Sequence, residues 1–165
     1  MEFTANFENL TEEEREQLLR LIQKSNEPMN KRWRADENEQ YYFINGCMID
    51  YYREDHDAED EKLYRMGNYF RTQEEAEFEL NKRLVLQQLK DYALLHNECK
   101  LDWQNYNQAK FFIKRDAGSN CLVWECTSYD EVPGQIYFSS PDVLLSAIAF
   151  VGGDKIQKYL FNVEY

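Results

Sequence analysis

The chain has 165 residues, of which 43% are hydrophobic and 15% aromatic, so it is long enough and apolar enough to fold. Its net charge is −12, and residues 1–61 hold 17 acidic against 7 basic residues, a net charge of −10. This field disfavours direct binding of nucleic acid or anionic membranes and attracts a basic protein surface, although acidic charge can also serve solubility alone. The sequence contains no apolar run that could span a bilayer and no signal-peptide pattern at its start. We therefore expect a cytoplasmic protein with reduced cysteines.

A capping box begins the first predicted element. Thr11 and Glu14 stand three residues apart, directly before a leucine-rich stretch. Pro28 is incompatible with continuation of that helix. The sequence thus predicts an acidic N-terminal helix within residues 1–29.

A β-hairpin opens the next predicted unit, which spans residues 30–97. The pair Asn45–Gly46 separates two β-prone runs, YYFI and CMIDYY. Such a pair favours a type I′ turn, because both central residues of that turn need a positive φ. Residues 54–61 (EDHDAEDE) are predicted to form an acidic loop, and a third strand is predicted around residues 63–71.

The longest predicted helix follows this strand. Thr72 and Glu75 form a second capping box. Behind it, apolar side chains fall on two neighbouring helical stripes, one with Ala76, Leu80 and Leu84, the other with Phe78, Val85, Leu89 and Tyr92. An apolar surface of that width predicts a helix packed on a sheet, with one flank against another element.

The order of elements then repeats over residues 98–165, the second predicted unit. Two runs, KFFIKR and CLVWECT, flank a turn at residues 117–120, and a third strand, QIYF, precedes a helix capped by Ser140. A glycine pair ends this helix, and a short final helix follows. The predicted class is α+β: two β-β-β-α units with antiparallel sheets and helices on one face, plus the N-terminal helix.

The sequence contains no residue set that indicates a catalytic reaction. Of the two histidines, His56 lies in the acidic loop and His96 at a helix end, so general-base catalysis has few candidates. We expect a protein that is not an enzyme and that needs no cofactor.

Two possible metal sites also fail on their spacing. Asp55, Asp57 and Glu59 resemble the start of a calcium loop, but the sixth position is Asp60 where glycine is needed, and the twelfth is Met66 where glutamate is needed. The four possible zinc ligands are His96, Cys99, Cys121 and Cys126, of which the last two should face opposite sides of one strand. We therefore predict no metal, and buried thiols at positions 121 and 126.

Acidic residues on both sides of the first hairpin form the predicted partner-binding site. They fall in segments predicted to be loops, which a rigid hairpin would present to a partner. The set comprises Asp36, Glu37, Glu39, Glu54, Asp55, Asp57, Glu59, Asp60 and Glu61. Six of these lie within eight positions and repel one another, so we expect residues 54–61 to contribute little to folding.

Several motifs together resemble a family of small proteins from phages and prophages of Gram-positive bacteria. They are Trp33 with Glu39 and YYFI, the pattern GNxFxTxEEAE at residues 67–77, and the stretch GQIYFSSPDVLLSAIAFVGGDKIQKYLFNV at residues 134–163. In that last stretch Val143, Leu144 and Leu145 replace the acidic and alanine residues usual in the family.

The resemblance implies a phage accessory protein, and some acidic members of that kind are similar in style to anti-CRISPR inhibitors. One expected function is therefore an acidic, DNA-mimicking inhibitor in the cytoplasm of the bacterial host. It would bind a basic nucleic-acid-binding surface of a host defence protein, such as a CRISPR effector nuclease. The alternative is a phage structural or assembly accessory protein that acts through protein–protein contact.

Overall fold

The computed structural model describes residues 11–26, 32–119 and 121–163, and the chain divides into two compact units, Met1–Arg34 and Ala35–Tyr165. The elements in order are α1 Glu12–Asn26, β1 Gln40–Asn45, β2 Met48–Arg53, α2 Ala58–Arg65, α3 Gln73–His96, β3 Lys110–Asp116, β4 Cys121–Thr127, α4 Pro141–Val151 and α5 Gly153–Phe161. Within the described ranges, none of the helices combines the length and the apolar character that crossing a membrane requires. Residues 1–10 and Pro28, which belong to the predicted N-terminal helical segment, lie outside the described residues, as does the last residue of the turn predicted at 117–120.

Helix α1 begins at the predicted capping box. The backbone N–H and the hydroxyl of Thr11 donate to the Glu14 carboxylate at 2.8 and 2.9 Å, and the Glu14 N–H donates to the Thr11 hydroxyl at 3.4 Å. These bonds, the largest influence on Glu14, hold its pKa below the ordinary value. They satisfy N–H groups that have no partner inside the helix.

The α+β class is confirmed, but each sheet in the described residues has two strands rather than three. Strand β1 pairs with β2 and β3 pairs with β4, both antiparallel. In place of each predicted third strand there is a single bridge residue: Phe70 pairs with Tyr42, and Phe138 pairs with Phe111. The strand predicted at residues 63–71 is wrong because its first part belongs to α2, whose run AEDEKL consists largely of strong helix formers.

The first hairpin forms as predicted, with a different turn. Asn45 pairs with Met48, so Gly46 and Cys47 are the two central residues. Of these only Gly46 has a positive φ, at 61°. This is the sign pattern of a type II′ turn, which places glycine first, rather than the predicted type I′ turn.

Helix α3 packs at the centre of the larger unit and contacts β1, β2, α4 and α5. The Glu75 N–H donates to the Thr72 hydroxyl at 3.2 Å, which confirms the predicted cap, while the Glu75 carboxylate accepts the N–H of Arg71 at 2.9 Å. Leu84 is exposed, so the first predicted apolar stripe is not buried along its whole length. The main core cluster is formed by Val85, Leu89, Ala93, Ile113, Phe138, Leu144, Ala147, Val151 and Ile156.

Strand β3 begins at a lysine whose side chain is fully buried. The Lys110 ammonium donates to the carbonyl oxygens of Asn105 at 3.1 Å and Ser128 at 3.3 Å, and it lies 5.0 Å from the centre of the Trp103 ring. These contacts replace the water that the charge loses on burial. They fasten the segment before β3 to the β3–β4 hairpin.

The burial predicted for Cys121 and Cys126 is wrong. Both are exposed free thiols, as are Cys47 and Cys99. Strand β4 pairs with β3 alone among the described residues and has no fully buried position, so it offers no interior site for a thiol.

Candidate functional site

The candidate site is the base of the β1–β2 hairpin, where the two predicted acidic segments meet. The Glu39 N–H donates to the carbonyl of Asp36 at 2.9 Å and closes a turn in which Asn38 has a positive φ of 66°. Asparagine tolerates that conformation better than most residues. The Asn38 N–H then donates to the Glu54 carbonyl at 2.8 Å, and the Glu54 N–H donates to the Glu39 carbonyl at 3.0 Å. Two residues thus oppose one in a β-bulge, which brings residues 36–39 beside residue 54.

Two of the nine predicted site residues, Glu54 and Asp60, are buried, with exposed fractions of 0% and 3%. The Glu54 carboxylate accepts hydrogen bonds from the Tyr69 hydroxyl and from the His56 N–H. The Asp60 carboxylate accepts from the Tyr41 hydroxyl and, at 2.9 Å, from the Asp55 N–H. As both carboxylates face the interior, they do not belong to the surface that a partner would meet, and this corrects the predicted site.

The two tyrosines that hold these carboxylates stack on each other. The Tyr41 and Tyr69 rings lie 3.9 Å apart with an angle of 16° between their planes. Burial, followed by the hydrogen bond to Asp60, raises the pKa of Tyr41, so its hydroxyl remains a donor. Burial by itself would raise the pKa of Asp60, but the hydrogen bonds from Tyr41 and the Asp55 N–H hold it below the ordinary value. Asp60 is therefore a carboxylate at neutral pH.

The predicted loop at residues 54–61 is helical from Ala58 onward. Asp57 caps α2, and its carboxylate accepts the N–H groups of Glu59 and Asp60, both at 2.8 Å. Glu54, Asp60 and also Asp55, which accepts the Asp57 N–H at 3.0 Å, have donors as well, so at least four of the six carboxylates in this segment accept hydrogen bonds from within the fold. The segment is therefore tied to the fold by hydrogen bonds, while the expectation that its carboxylates contribute little to folding stays a prediction. The sequence signal for this cap is an aspartate, Asp57, three residues before Asp60 and six before Leu63, and it was not among the predicted caps.

Three aspartates of this segment could together hold a metal ion. Asp55, Asp57 and Asp60 each offer a carboxylate oxygen within 4.8 Å of the others, and such oxygens suit a hard cation such as Ca²⁺. Glu59, part of the calcium pattern considered above, is not in the group. The capping of α2 already accounts for the arrangement, since each aspartate accepts a backbone N–H. The absence of a bound metal stays a prediction.

The neighbouring carboxylates also affect Asp55 itself. The N–H of Asp57, the largest influence, lowers the pKa of Asp55, but burial and the Asp60 carboxylate outweigh it, and the pKa stands above the ordinary value. Asp55 therefore binds a proton more readily than an isolated aspartate.

His56 contacts, through its imidazole, the buried carboxylate of Glu54, two positions before it in the acidic segment. Its Nδ1 lies 2.9 Å from Glu54 Oε1, and its backbone has a positive φ of 61°. The same carboxylate also accepts the Tyr69 hydroxyl. The Glu54 carboxylate therefore contacts both His56 and Tyr69 at the bend between β2 and α2.

The remaining seven predicted residues are exposed: Asp36, Glu37, Glu39, Asp55, Asp57, Glu59 and Glu61. Asp50, on β2, is an eighth exposed carboxylate and lies outside the predicted set. We call these eight residues the acidic surface. Residues 35–61 contain ten acidic residues and one basic residue, Arg53. A shallow cleft of about 240 Å³ lies at the end of β2, lined by Tyr52, Arg53, Asp55, Asp57, Glu59 and Asp60.

No protein-family model, no curated protein and no solved structure matches the chain. The resemblance to phage and prophage proteins therefore rests on the sequence motifs alone and stays a prediction.

Proposed function

We propose that the chain is a non-enzymatic inhibitor, encoded by a phage and acting in the cytoplasm of the bacterial host. Its acidic surface binds a basic nucleic-acid-binding surface of a host defence protein, such as a CRISPR effector nuclease. The observation that carries this proposal is the density of exposed charge: eight carboxylates and one arginine within residues 35–61. A surface of that sign attracts the groups that otherwise neutralise phosphates.

The buried contacts that hold these exposed carboxylates in place favour a role in binding over a role in solubility alone. The pairs Tyr41–Asp60 and Tyr69–Glu54 are buried, and Asp57 caps the helix that carries Glu59 and Glu61. Carboxylates on an ordered framework lose less conformational freedom on binding than carboxylates in a disordered tail. A charge pattern fixed in this way also raises the rate of association with an opposite surface.

A second candidate is a phage structural or assembly accessory protein that binds its partner through apolar contacts. Exposed aromatic side chains favour it: Tyr51 and Tyr52 on β2, Trp124 on β4 and Phe150 on α4. Apolar docking would depend little on salt, whereas binding through the acidic surface would weaken as salt rises.

The repeated architecture is also a proposal. We infer that the two hairpin–helix segments are copies of one β-β-β-α unit. Each hairpin receives one bridge residue, Phe70 or Phe138, and two positions later a hydroxyl residue, Thr72 or Ser140, caps a helix. Deep sequencing of functional variants would test this inference, because the matched bridge and cap positions should tolerate the same residue types.

The function is tested with two variants of equal charge change. The first removes charge from the acidic surface at positions that cap no helix: Asp36→Asn, Glu37→Gln, Glu59→Gln and Glu61→Gln. The control makes the same kind of change at exposed carboxylates elsewhere: Glu98→Gln, Asp130→Asn, Glu131→Gln and Asp154→Asn. The probe is a purified CRISPR effector nuclease loaded with guide RNA.

The readouts are displacement of target DNA from the nuclease and the association rate of the chain across a salt titration. We expect the wild type to displace DNA, and the surface variant to associate about tenfold more slowly and with a flatter salt dependence. The control should behave as the wild type. Equal rates for both variants at low salt would refute a role for the acidic surface.

A further inference from the structure

The chain covers one edge of the β1–β2 sheet with its own groups. Tyr42 on β1 exchanges two backbone hydrogen bonds with Phe70, both at 2.9 Å. Two residues along, the side-chain amide of Asn68 binds both the N–H and the carbonyl of Ile44, also at 2.9 Å. The outward backbone groups of Tyr42 and Ile44 on β1 therefore have hydrogen-bond partners, as they would beside an added strand.

The opposite edge, on β2, pairs with no further strand in the part of the chain that the structure describes. Tyr42 directs both of its backbone groups toward Phe70, so its register partner Tyr51 belongs to a pair without hydrogen bonds. In an antiparallel ladder the N–H and carbonyl of such a residue point away from the partner strand. Ile49 and Arg53 lie two positions before and after Tyr51, so their backbone N–H and carbonyl groups also point away from β1. Within residues 11–26, 32–119 and 121–163, β2 pairs with β1 alone.

We propose that this edge receives an extended, lysine- and arginine-rich segment of the partner as an added strand. The inference rests on the proposed function and names the form in which the partner binds. Backbone bonds to Ile49, Tyr51 and Arg53 would supply affinity, as in other complexes formed by strand addition. Tyr51 and Tyr52 lie on this strand with exposed fractions of 60% and 47%, so their exposed aromatic surface could contact cations of the added segment.

Charge complementarity selects this occupant. The acidic surface continues directly from the end of β2 and favours a positive segment on the same edge. A second copy of the chain would bring another strongly negative hairpin against the first, which like-charge repulsion opposes. Strand β4 also has an open edge in the described residues, but its flanking segments lack this density of acidic residues. It therefore provides a control.

The test uses a synthetic peptide of alternating arginine and threonine, about as long as β2, and measures binding by fluorescence anisotropy. Tyr51→Pro removes an outward N–H that β1 does not use, and Tyr51→Thr removes the ring but keeps that N–H. The matched control is Cys126→Pro, because Cys126 pairs with Phe111, which bonds to Phe138 as Tyr42 bonds to Phe70. Relative to Tyr51→Thr, we expect Tyr51→Pro to bind the peptide about tenfold more weakly or worse. The Cys126→Pro variant should match the wild type.

A change on the peptide keeps the test independent of variant folding. N-methylation of alternate peptide residues preserves the charge but removes the N–H groups that strand addition needs. The wild-type chain should lose affinity for this peptide to a similar degree, and hydrogen exchange at the Tyr51 amide should slow only with the unmodified peptide. Equal binding of the two peptides, or of Tyr51→Pro and Tyr51→Thr, would overturn the inference.

The outcomes separate this inference from the proposed function. If the surface charge variant no longer binds the peptide while Tyr51→Pro still does, the role of the acidic surface is supported and strand addition at the β2 edge is refuted. If Tyr51→Pro no longer binds the peptide while the charge variant still does, strand addition at the β2 edge is supported and binding through the acidic surface is refuted. A wild-type dimer that Tyr51→Pro converts to a monomer would assign the edge to a second copy and overturn the proposal.

Discussion

Replacing Asp60 with alanine should destabilise the larger unit strongly, although the residue lies in a highly charged segment. The change leaves the buried hydroxyl of Tyr41 without its acceptor, at a cost of about 1–3 kcal/mol. It also frees the partly buried Asp55 N–H, which adds about 0.5–1.5 kcal/mol. The expected loss is about 2–4 kcal/mol out of a total stability of about 5–15 kcal/mol.

Urea denaturation at neutral pH, followed by far-ultraviolet circular dichroism, measures this loss. The matched control is Glu59→Ala, an exposed residue of the same helix whose ion pair with Lys62 lies at the surface, and it should change stability by no more than about 0.5 kcal/mol. The pKa of Asp60 lies below its ordinary value, so its stabilising effect is present above the pKa of unfolded aspartate and disappears as pH falls through the folded value. Equal stability of the two variants at neutral pH would show that Tyr41 does not depend on this carboxylate.

Three further predictions concern neighbouring parts of the fold. Asp55→Asn should raise the melting temperature at neutral pH, because the raised pKa of Asp55 means that its charged form is disfavoured in the folded state. This gain should vanish as pH falls through the folded pKa, where Asp55 itself becomes neutral, and Asp36→Asn serves as the control in a melting series against pH. Thr72→Ala should cost about 1 kcal/mol through loss of the α3 cap, and Leu89→Ala about 2–5 kcal/mol through a core cavity, both measured by denaturant titration. A wild-type result for Leu89→Ala would contradict the central position of α3. Finally, neither calcium nor a chelator should change the melting temperature, and a shift with calcium that Asp55→Asn abolishes would establish a metal site at the aspartate group.

Local patterns predicted the elements whose causes lie within a few residues. The caps at Thr11, Thr72 and Ser140 and both hairpins follow from neighbouring groups that satisfy one another. The predicted position of the β1–β2 turn is displaced by one residue. The register, which is set by pairing along the whole strands, decides which residues occupy the turn.

The interior of the acidic segment could not be predicted in this way. Glu54 and Asp60 are buried because Tyr69 and Tyr41 lie across from them, 15 and 19 residues away in sequence. A run of carboxylates is ordinarily solvated, and only these distant hydroxyls make burial favourable. The six carboxylates of this run therefore comprise two that are buried, Glu54 and Asp60, and four that are exposed.

The buried side chain of Lys110 makes it possible to measure how often this part of the fold opens. Amine-reactive reagents label exposed lysines quickly, but the Lys110 ammonium becomes accessible only when its bonds to Asn105 and Ser128 break. The rate at which it is labelled therefore reports how often the segment between α3 and β3 detaches from the β3–β4 hairpin. Mass spectrometry of the labelled chain would time this local opening without any substitution.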